Sequence, residues 1–183
     1  MLIYALLAMS VDILAGYAGR TPLCHGAIFG TATYVVMYYV TSAGGNPWLA
    51  MPLGVLAALG VATVFAALAV RTSGVYFLLL TLALGMIVWG VCQRWTSVTG
   101  GENGLRGTAR PAALADPQVF YYFVLAVGLA CSYVMWRFVR SPFGLSLKGI
   151  RESESRMRSL GYDTTRHLFV GFQFSGLMAG ISG

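Results

Sequence analysis

Residues 21–70 contain no Asp, Glu, Lys or Arg. Two further uncharged stretches follow, over residues 72–93 and 117–136. A helix needs about 20 residues to cross the hydrocarbon core of a bilayer, so the longest stretch has room for two such helices. The segment 44–47 (GGNP) lies near its middle, where a turn should separate them. The spacing of the charges therefore predicts a helical membrane protein.

The composition supports this interpretation. Hydrophobic residues make up 57% and charged residues 10% of the 183 residues, whereas about 25% of an average soluble domain is charged. This excludes a soluble enzyme, a disordered segment and a secreted disulfide scaffold. We expect an all-α, polytopic transmembrane helix bundle that forms a single domain over residues 1–183. About six spans are predicted, at residues 1–18, 22–43, 47–70, 74–93, 119–136 and 167–183.

Basic residues predict how this bundle is oriented, because Lys and Arg accumulate in cytoplasmic loops. Six spans leave only Arg94, Arg106 and Arg110 on one side of the membrane. This side, with residues 94–118, is expected to be outside. The segment 137–166 is expected to be a cytoplasmic loop of a multi-pass membrane protein. The net charge of +6 is then a topology signal and not a sign of nucleic-acid binding. The cytoplasmic side would hold Arg20, Arg71, Arg137, Arg140, Lys148, Arg151, Arg156, Arg158 and Arg166.

The residues needed for catalysis or metal binding do not occur in recognisable patterns. The three cysteines are widely spaced, Lys148 is the only lysine, and no phosphate-binding GxxxxGK[ST] motif is present. His25 and His167 each stand alone at the end of a predicted span. We therefore expect a protein that is not an enzyme and that holds no cofactor or metal. The last span is slightly short and stops within its apolar pattern, which favours a C-terminally truncated chain.

Asp12 is the one charged residue inside a predicted span. Ionisable residues at membrane depth are costly, and they are candidates for function by default. In one interpretation Asp12 is an intramembrane polar contact that lines a path or pairs across helices. In the other, it lies near the cytoplasmic end of the span and reaches water or Arg20.

The segment 141–161 predicts a short amphipathic helix along the cytoplasmic face. Ser141 and Pro142 are typical of a helix start, and Gly161 is typical of a left-handed helix end. Two pairs have i,i+4 spacing, each worth about 0.2–0.5 kcal/mol. These are Glu152–Arg156 and Glu154–Arg158. The apolar residues that fall close to one face are Leu147, Ile150, Met157 and Leu160. This helix is either a connection at the membrane surface or a docking helix for a soluble partner.

Glycines mark two further features. Three glycines in the predicted outer loop, within Gly100-Gly101-Glu102-Asn103-Gly104, allow backbone conformations that other residues avoid. The loop is either a tight turn or an element that re-enters the membrane or contacts a partner. Pairs of small residues four positions apart favour close helix packing in lipid. Such pairs are Gly26 with Gly30 and Gly176 with Gly180.

Four stretches resemble the M-type membrane permease subunits of ABC importers for branched-chain amino acids, the LIV class. They run over essentially the whole chain. The first combines residues 15–19 (AGYAG) with 23–30 (LCHGAIFG). The second and third are residues 71–83 (RTSGVYFLLLTLA) and 99–107 (TGGENGLRG). The fourth combines 141–144 (SPFG), 150–154 (IRESE) and 160–162 (LGY), and leads into Phe172, Ser175, Gly176, Ala179 and Gly180. Asp12 and Cys24 depart from the usual neutral polar residue and Gly, and family members continue past Gly183.

The resemblance implies a set of partners. Two ABC ATPase subunits would bind the ATP, and a helix over 141–161 would be the coupling element seated on one of them. A periplasmic or extracellular substrate-binding protein would dock on the outer loop. A homologous second permease subunit would share the path of the amino-acid substrate. The coupling residues would be Leu147, Ile150, Arg151, Glu152, Glu154, Met157, Leu160 and Gly161.

Two alternatives stay open. A permease of the same family could carry urea or short amides. A stand-alone secondary transporter would need ionisable residues at membrane depth for ion coupling, and only Asp12 qualifies.

Overall fold

The computed structural model describes residues 1–42, 44–101, 104–105 and 116–183. Within these ranges the chain is helical and contains no strand, which confirms the all-α class. A π-helical turn, Ile13–Tyr17, continues the first helix directly. The α-helices are α1 (Leu2–Asp12), α2 (His25–Thr41), α3 (Pro47–Ala69), α4 (Gly74–Arg94), α5 (Thr96–Thr99), α6 (Pro117–Val139), α7 (Pro142–Glu152), α8 (Glu154–Ser159) and α9 (Thr164–Ser182).

Three helices begin with the same N-terminal capping pattern. A polar side chain precedes a proline and accepts a hydrogen bond from a backbone amide in the first turn. Asn46 accepts from Trp48 at 3.1 Å, Asp116 from Gln118 at 3.0 Å, and Ser141 from Gly144 at 3.3 Å. Such a cap satisfies one backbone amide that the helix leaves unpaired. Proline at the first helical position has no backbone N–H, so one fewer amide needs a partner. The starts of α3, α6 and α7 are therefore encoded locally.

The helix at the centre of the bundle is α9, which packs against α1, α2 and α3. Leu168 and Phe172 are buried there, and so are Ser175 and Ser182. The helix α4 lies outside α2 and α3, and α6 lies outside α1. A central helix is shielded from lipid by its neighbours, so it tolerates polar and small residues that a peripheral helix does not.

Three of the six predicted spans meet the length and hydropathy of a membrane-spanning helix. These are α3, α4 and α6, with 23, 21 and 23 residues. The other three differ from the prediction. The first is the shorter apolar run Leu2–Tyr17, α2 has only 17 residues, and α9 starts at Thr164 and is less apolar. All six predicted segments are helical, and they differ in length and hydropathy.

The two predicted glycine pairs behave differently. A Cβ added at Gly176 would lie 2.6 Å from the Cβ of Ala62, and one at Gly180 would lie 2.7 Å from the Cβ of Ala58. These two glycines therefore let α9 approach α3 closely, as predicted. A Cβ added at Gly26 or Gly30 would meet nothing within 4 Å. The prediction of close packing at Gly26 and Gly30 was wrong, because this face of α2 borders a cavity.

We expect Gly176→Ala to destabilise the bundle and Gly30→Ala not to. The added methyl at residue 176 has to push α9 away from α3, and overpacking of this kind costs about 1–3 kcal/mol. At residue 30 the methyl enters open space, and the substitution gains the higher helix propensity of Ala. Unfolding in mixed detergent micelles with increasing dodecyl sulfate would measure both changes. Equal midpoints for the two variants would contradict this packing.

Candidate functional site

The predicted cytoplasmic helix is two helices and not one. Ser153 has an extended backbone, with φ −160° and ψ 99°, and separates α7 from α8. Its hydroxyl accepts a hydrogen bond from the Arg156 amide at 3.3 Å. A serine that caps the following helix competes with the helical hydrogen bonding of the preceding one. Glu154 in the first turn of α8 and Arg158 in its last turn have the signs that the helix dipole favours.

Because of this break, the four residues of the predicted apolar stripe have different surroundings. Leu147 and Ile150 are buried, with 0% and 4% of their surface exposed, and they belong to the core of the bundle. Met157 is half-buried and packs over Gly149. Leu160 is 67% exposed. The prediction of one helix with a continuous apolar stripe was therefore wrong: Leu147 and Ile150 fix α7 to the bundle, and Leu160 faces outward.

The two predicted ion pairs also have different outcomes. Glu154 and Arg158 lie within one helix, and their charged atoms are 2.7 Å apart. Glu152 and Arg156 lie on opposite sides of the break at Ser153, and no ion pair between these two described residues is found. The i,i+4 geometry exists only where the helix is continuous.

Arg20 is the residue that sequence reasoning missed. Only 9% of it is exposed, and its guanidinium donates to the carbonyl oxygens of Val70, at 3.3 Å, and Thr72. It also forms an ion pair with Oε2 of Glu154 at 3.0 Å. One side chain thus joins the loop after the π-helical turn, the connection between α3 and α4, and α8. The available signal was its position as the last charge before the uncharged stretch 21–70.

The second oxygen of Glu154 extends this cluster to α9. Its Oε1 lies 2.7 Å from Nη2 of Arg158 and accepts a hydrogen bond from the Thr164 hydroxyl at 3.3 Å. Nε of Arg158 also donates to the Thr164 hydroxyl, at 3.0 Å. Thr164 is the first residue of α9 and is buried. We call Arg20, Glu154, Arg158 and Thr164 the Arg20 cluster.

The helix α7 holds the start of the chain through a separate contact. The guanidinium of Arg151 donates to the carbonyl oxygen of Gly16 within the π-helical turn. Gly19 has a φ of +68°, and a Cβ there would lie 2.7 Å from Cγ of Arg151. A side chain at residue 19 would therefore both strain the backbone and displace Arg151. The sequence placed Arg151 on the coupling helix, and the structure shows that this exposed side chain bonds to the π-helical turn.

Gly161 ends α8 in the predicted left-handed conformation, with φ +87°. Its amide donates to the Arg158 carbonyl at 2.9 Å, and the Tyr162 amide donates to the Met157 carbonyl at 3.1 Å. These two bonds are the Schellman pattern. Asp163 then caps α9 by accepting from the Arg166 amide at 3.1 Å. The turn 160–163 thus has a defined shape, and it presents Leu160 and Tyr162 to the outside.

Asp12 lies at the edge of a different feature. It is exposed and lines a cavity together with Lys148 and Arg140. The interpretation that it reaches Arg20 was wrong, because the guanidinium of Arg20 is paired with Glu154. A Cβ at Gly16 would lie 2.5 Å from Oδ1 of Asp12, so the carboxylate rests against the π-helical turn.

The described glycines of the predicted outer loop have left-handed backbone conformations. Gly100, Gly101 and Gly104 have φ values of +75°, +57° and +63°. A Cβ at Gly100 would lie 2.4 Å from the carbonyl oxygen of Gly104, which leaves no room for a side chain. Gly101 lines a cavity of about 250 Å³ between α2 and α4, together with Gly26 and Gly30. Glu102 and Asn103 lie outside the described residues.

Polar groups also meet inside the bundle. Nε2 of His25 lies 2.6 Å from the hydroxyl of Ser175, which donates to the carbonyl of Ser10. This buried contact ties α1, α2 and α9 together. His167 is placed elsewhere, with Nδ1 2.8 Å from the Asp163 carbonyl. Among the described residues, no three His, Cys, Asp or Glu side chains are grouped as a metal site requires.

The sequence profile of one family, described as "Branched-chain amino acid transport system / permease component", matches residues 1–183. The chain belongs to this family. Membership agrees with the long apolar helices α3, α4 and α6 and with the resemblance noted from the sequence. No solved structure matches the chain.

Two permeases of this kind illustrate the relationship. Both are named "High-affinity branched-chain amino acid transport system permease protein LivM". The protein from Salmonella typhimurium is 25% identical over 209 residues, and the alignment covers 100% of this chain and 49% of that protein. The protein from Escherichia coli is 24% identical, with the same coverage. The chain thus spans about half the length of these relatives.

We expect Arg20→Gln to lower the free energy of unfolding of the protein by about 1–3 kcal/mol, because the carbonyl acceptors of Val70 and Thr72 lose their charged donor. Dodecyl sulfate unfolding in mixed micelles would measure the loss. Arg166→Gln is the matched control, since the Arg166–Asp163 pair is exposed and such pairs contribute little. An equal loss in both variants would show that the burial of Arg20 has no special importance.

Proposed function

We propose that this chain is part of the permease subunit of an ATP-driven importer for branched-chain or related amino acids in the bacterial inner membrane. The support is its family and the printed function of its LivM relatives. ATP would be bound by ABC ATPase subunits on the cytoplasmic side, and this chain would carry no ATPase site of its own. Its role would be to form part of the path and to convert motion of the ATPase into motion of helices.

The observation that carries this proposal is the Arg20 cluster. Glu154 of α8 is bonded through Arg20 to the connection between α3 and α4, and through Thr164 to the start of α9. Charge-assisted hydrogen bonds to buried partners resist separation. A displacement of α8 would therefore pull on the central helix α9 and on α3 and α4 together. This is the linkage that a coupling element needs.

The docking surface would be the turn between α8 and α9. Leu160 and Tyr162 expose 67% and 45% of their surface there, next to the exposed cations Arg156 and Arg158. An apolar pair with a basic border suits a groove that has an apolar floor and an acidic rim. Because the Schellman turn at Gly161 fixes this pair relative to α8, a force on Leu160 would reach Glu154 through one short helix.

The substrate-binding protein and the second permease subunit would act at the opposite end of the helix bundle. Gly101 of the outer turn lines the same cavity as Gly26 and Gly30 of α2 and Gln93 of α4. A substrate-binding protein docked on the Gly100–Gly104 loop would thus release its amino acid beside this cavity. The open glycine face of α2 would be available to the path or to the homologous second permease subunit.

The test uses the full-length permease, reconstituted with its second permease subunit, ATPases and binding protein. Leu160→Asp and Gly161→Val should each reduce substrate-stimulated ATPase activity and uptake by about tenfold or more, the effect of losing a central interface contact. Leu160→Met keeps the apolar surface and should retain activity. Unchanged stimulation in Leu160→Asp and Gly161→Val would contradict the proposed coupling.

The same vesicles separate the importer from a secondary transporter. Uptake that requires the binding protein and is inhibited by vanadate supports the importer. Uptake that a protonophore abolishes, and that needs neither ATP nor the binding protein, would contradict the importer and support the secondary transporter.

A further inference from the structure

A cavity between α1, α6 and α7 is not used by the proposed coupling mechanism. It has a volume of about 630 Å³ and lies where the cytoplasmic ends of these helices meet. Met9, Ile13, Met135 and Val139 form its apolar part, and Asp12, Arg140 and Lys148 form its polar part. A groove that is apolar along the helices and charged at their cytoplasmic end has the polarity of a phospholipid, with acyl chains below and a headgroup above.

Two aromatic rings hold the cations of this cavity. The guanidinium carbon of Arg140 lies 4.4 Å from the ring centre of Trp136, and Nζ of Lys148 lies 5.1 Å from that of Tyr17. Both distances are typical of cation–π contacts. Within the described part of the chain, neither cation forms an ion pair with a carboxylate. Both cations are exposed and remain available to an anion.

The aromatic residues also mark the depth of the cavity. Trp136 and Tyr133 stack with ring centres 6.0 Å apart on the outer face of α6, and both are at least half exposed. Trp and Tyr concentrate at the boundary between the hydrocarbon and the headgroups. The cavity therefore lies at the height at which a phosphate of the cytoplasmic leaflet is found.

The charges select one kind of headgroup. Two cations and the carboxylate of Asp12 leave one net positive charge, which a single phosphodiester neutralises. The carboxylate accepts hydrogen bonds, so the headgroup should also carry hydroxyl donors. We propose that this cavity binds phosphatidylglycerol, with the phosphate at Arg140 and Lys148 and a glycerol hydroxyl at Asp12.

Native mass spectrometry of the full-length protein, incubated with equal amounts of phosphatidylglycerol and phosphatidylcholine, tests the proposal. We expect a preference for phosphatidylglycerol in the wild type. Each basic residue near an anionic surface contributes enough for about a fivefold change. Arg140→Gln and Lys148→Gln should each reduce the preference about fivefold, and the double variant about thirtyfold.

Arg137→Gln is the matched control, because Arg137 is an exposed cation one turn earlier in α6 that does not line the cavity. It should keep the preference. Circular dichroism checks that the variants, all at exposed positions, keep their helix content. Retention of the preference in the double variant, or an equal loss in Arg137→Gln, would overturn the site in favour of diffuse surface charge.

Phosphatidylmethanol separates the phosphate from the hydroxyl groups, since it has the same charge and no hydroxyl in its headgroup. It should bind several-fold more weakly than phosphatidylglycerol in the wild type, because Asp12 then faces the phosphate without a donor. Equal binding of the two lipids would overturn the assignment of phosphatidylglycerol.

Discussion

Burial of the Arg20 guanidinium is the interaction on which the end of the bundle around α8 depends. Removing a charge from water costs several kcal/mol unless a countercharge and hydrogen bonds replace the water. Arg20 finds them in Glu154 and in the carbonyls of Val70 and Thr72. These partners lie at least fifty residues away along the chain. Their positions are therefore mutually fixed, and α8 cannot leave the bundle without exposing an unpaired charge.

The membrane sets a second constraint, which explains the order of the helices. Apolar helices need no cover in lipid, so α4 and α6 can lie at the periphery with much of their surface exposed. Helices with serine and histidine need hydrogen-bond partners for these side chains. Helices with glycine can approach a neighbouring helix closely. The contact of His25 with Ser175 and that of Gly176 with Ala62 both lie around α9. The less apolar helix is therefore the central one.

Local signals could be read from the sequence, and tertiary ones could not. The starts of α3 and α6 follow from Asn46-Pro47 and Asp116-Pro117, because a cap and a proline act within one turn. The break at Ser153 depends on a competition between two short helices that periodicity alone does not decide. Gly26 and Gly176 have the same local pattern, and only the helix opposite each one makes the difference.

The helix α7 connects these constraints, since its three faces meet three different surroundings. Leu147 and Ile150 pack into the core, Arg151 holds the π-helical turn, and Lys148 faces the cavity beside Asp12. A π-helical turn follows Asp12 directly and is a rare local geometry, often found at functional sites. Here it places Gly16 against both the Asp12 carboxylate and the Arg151 guanidinium. A lipid bound at Lys148 and an ATPase bound at Leu160 would thus act on one connected unit, so the lipid's occupancy should affect coupling.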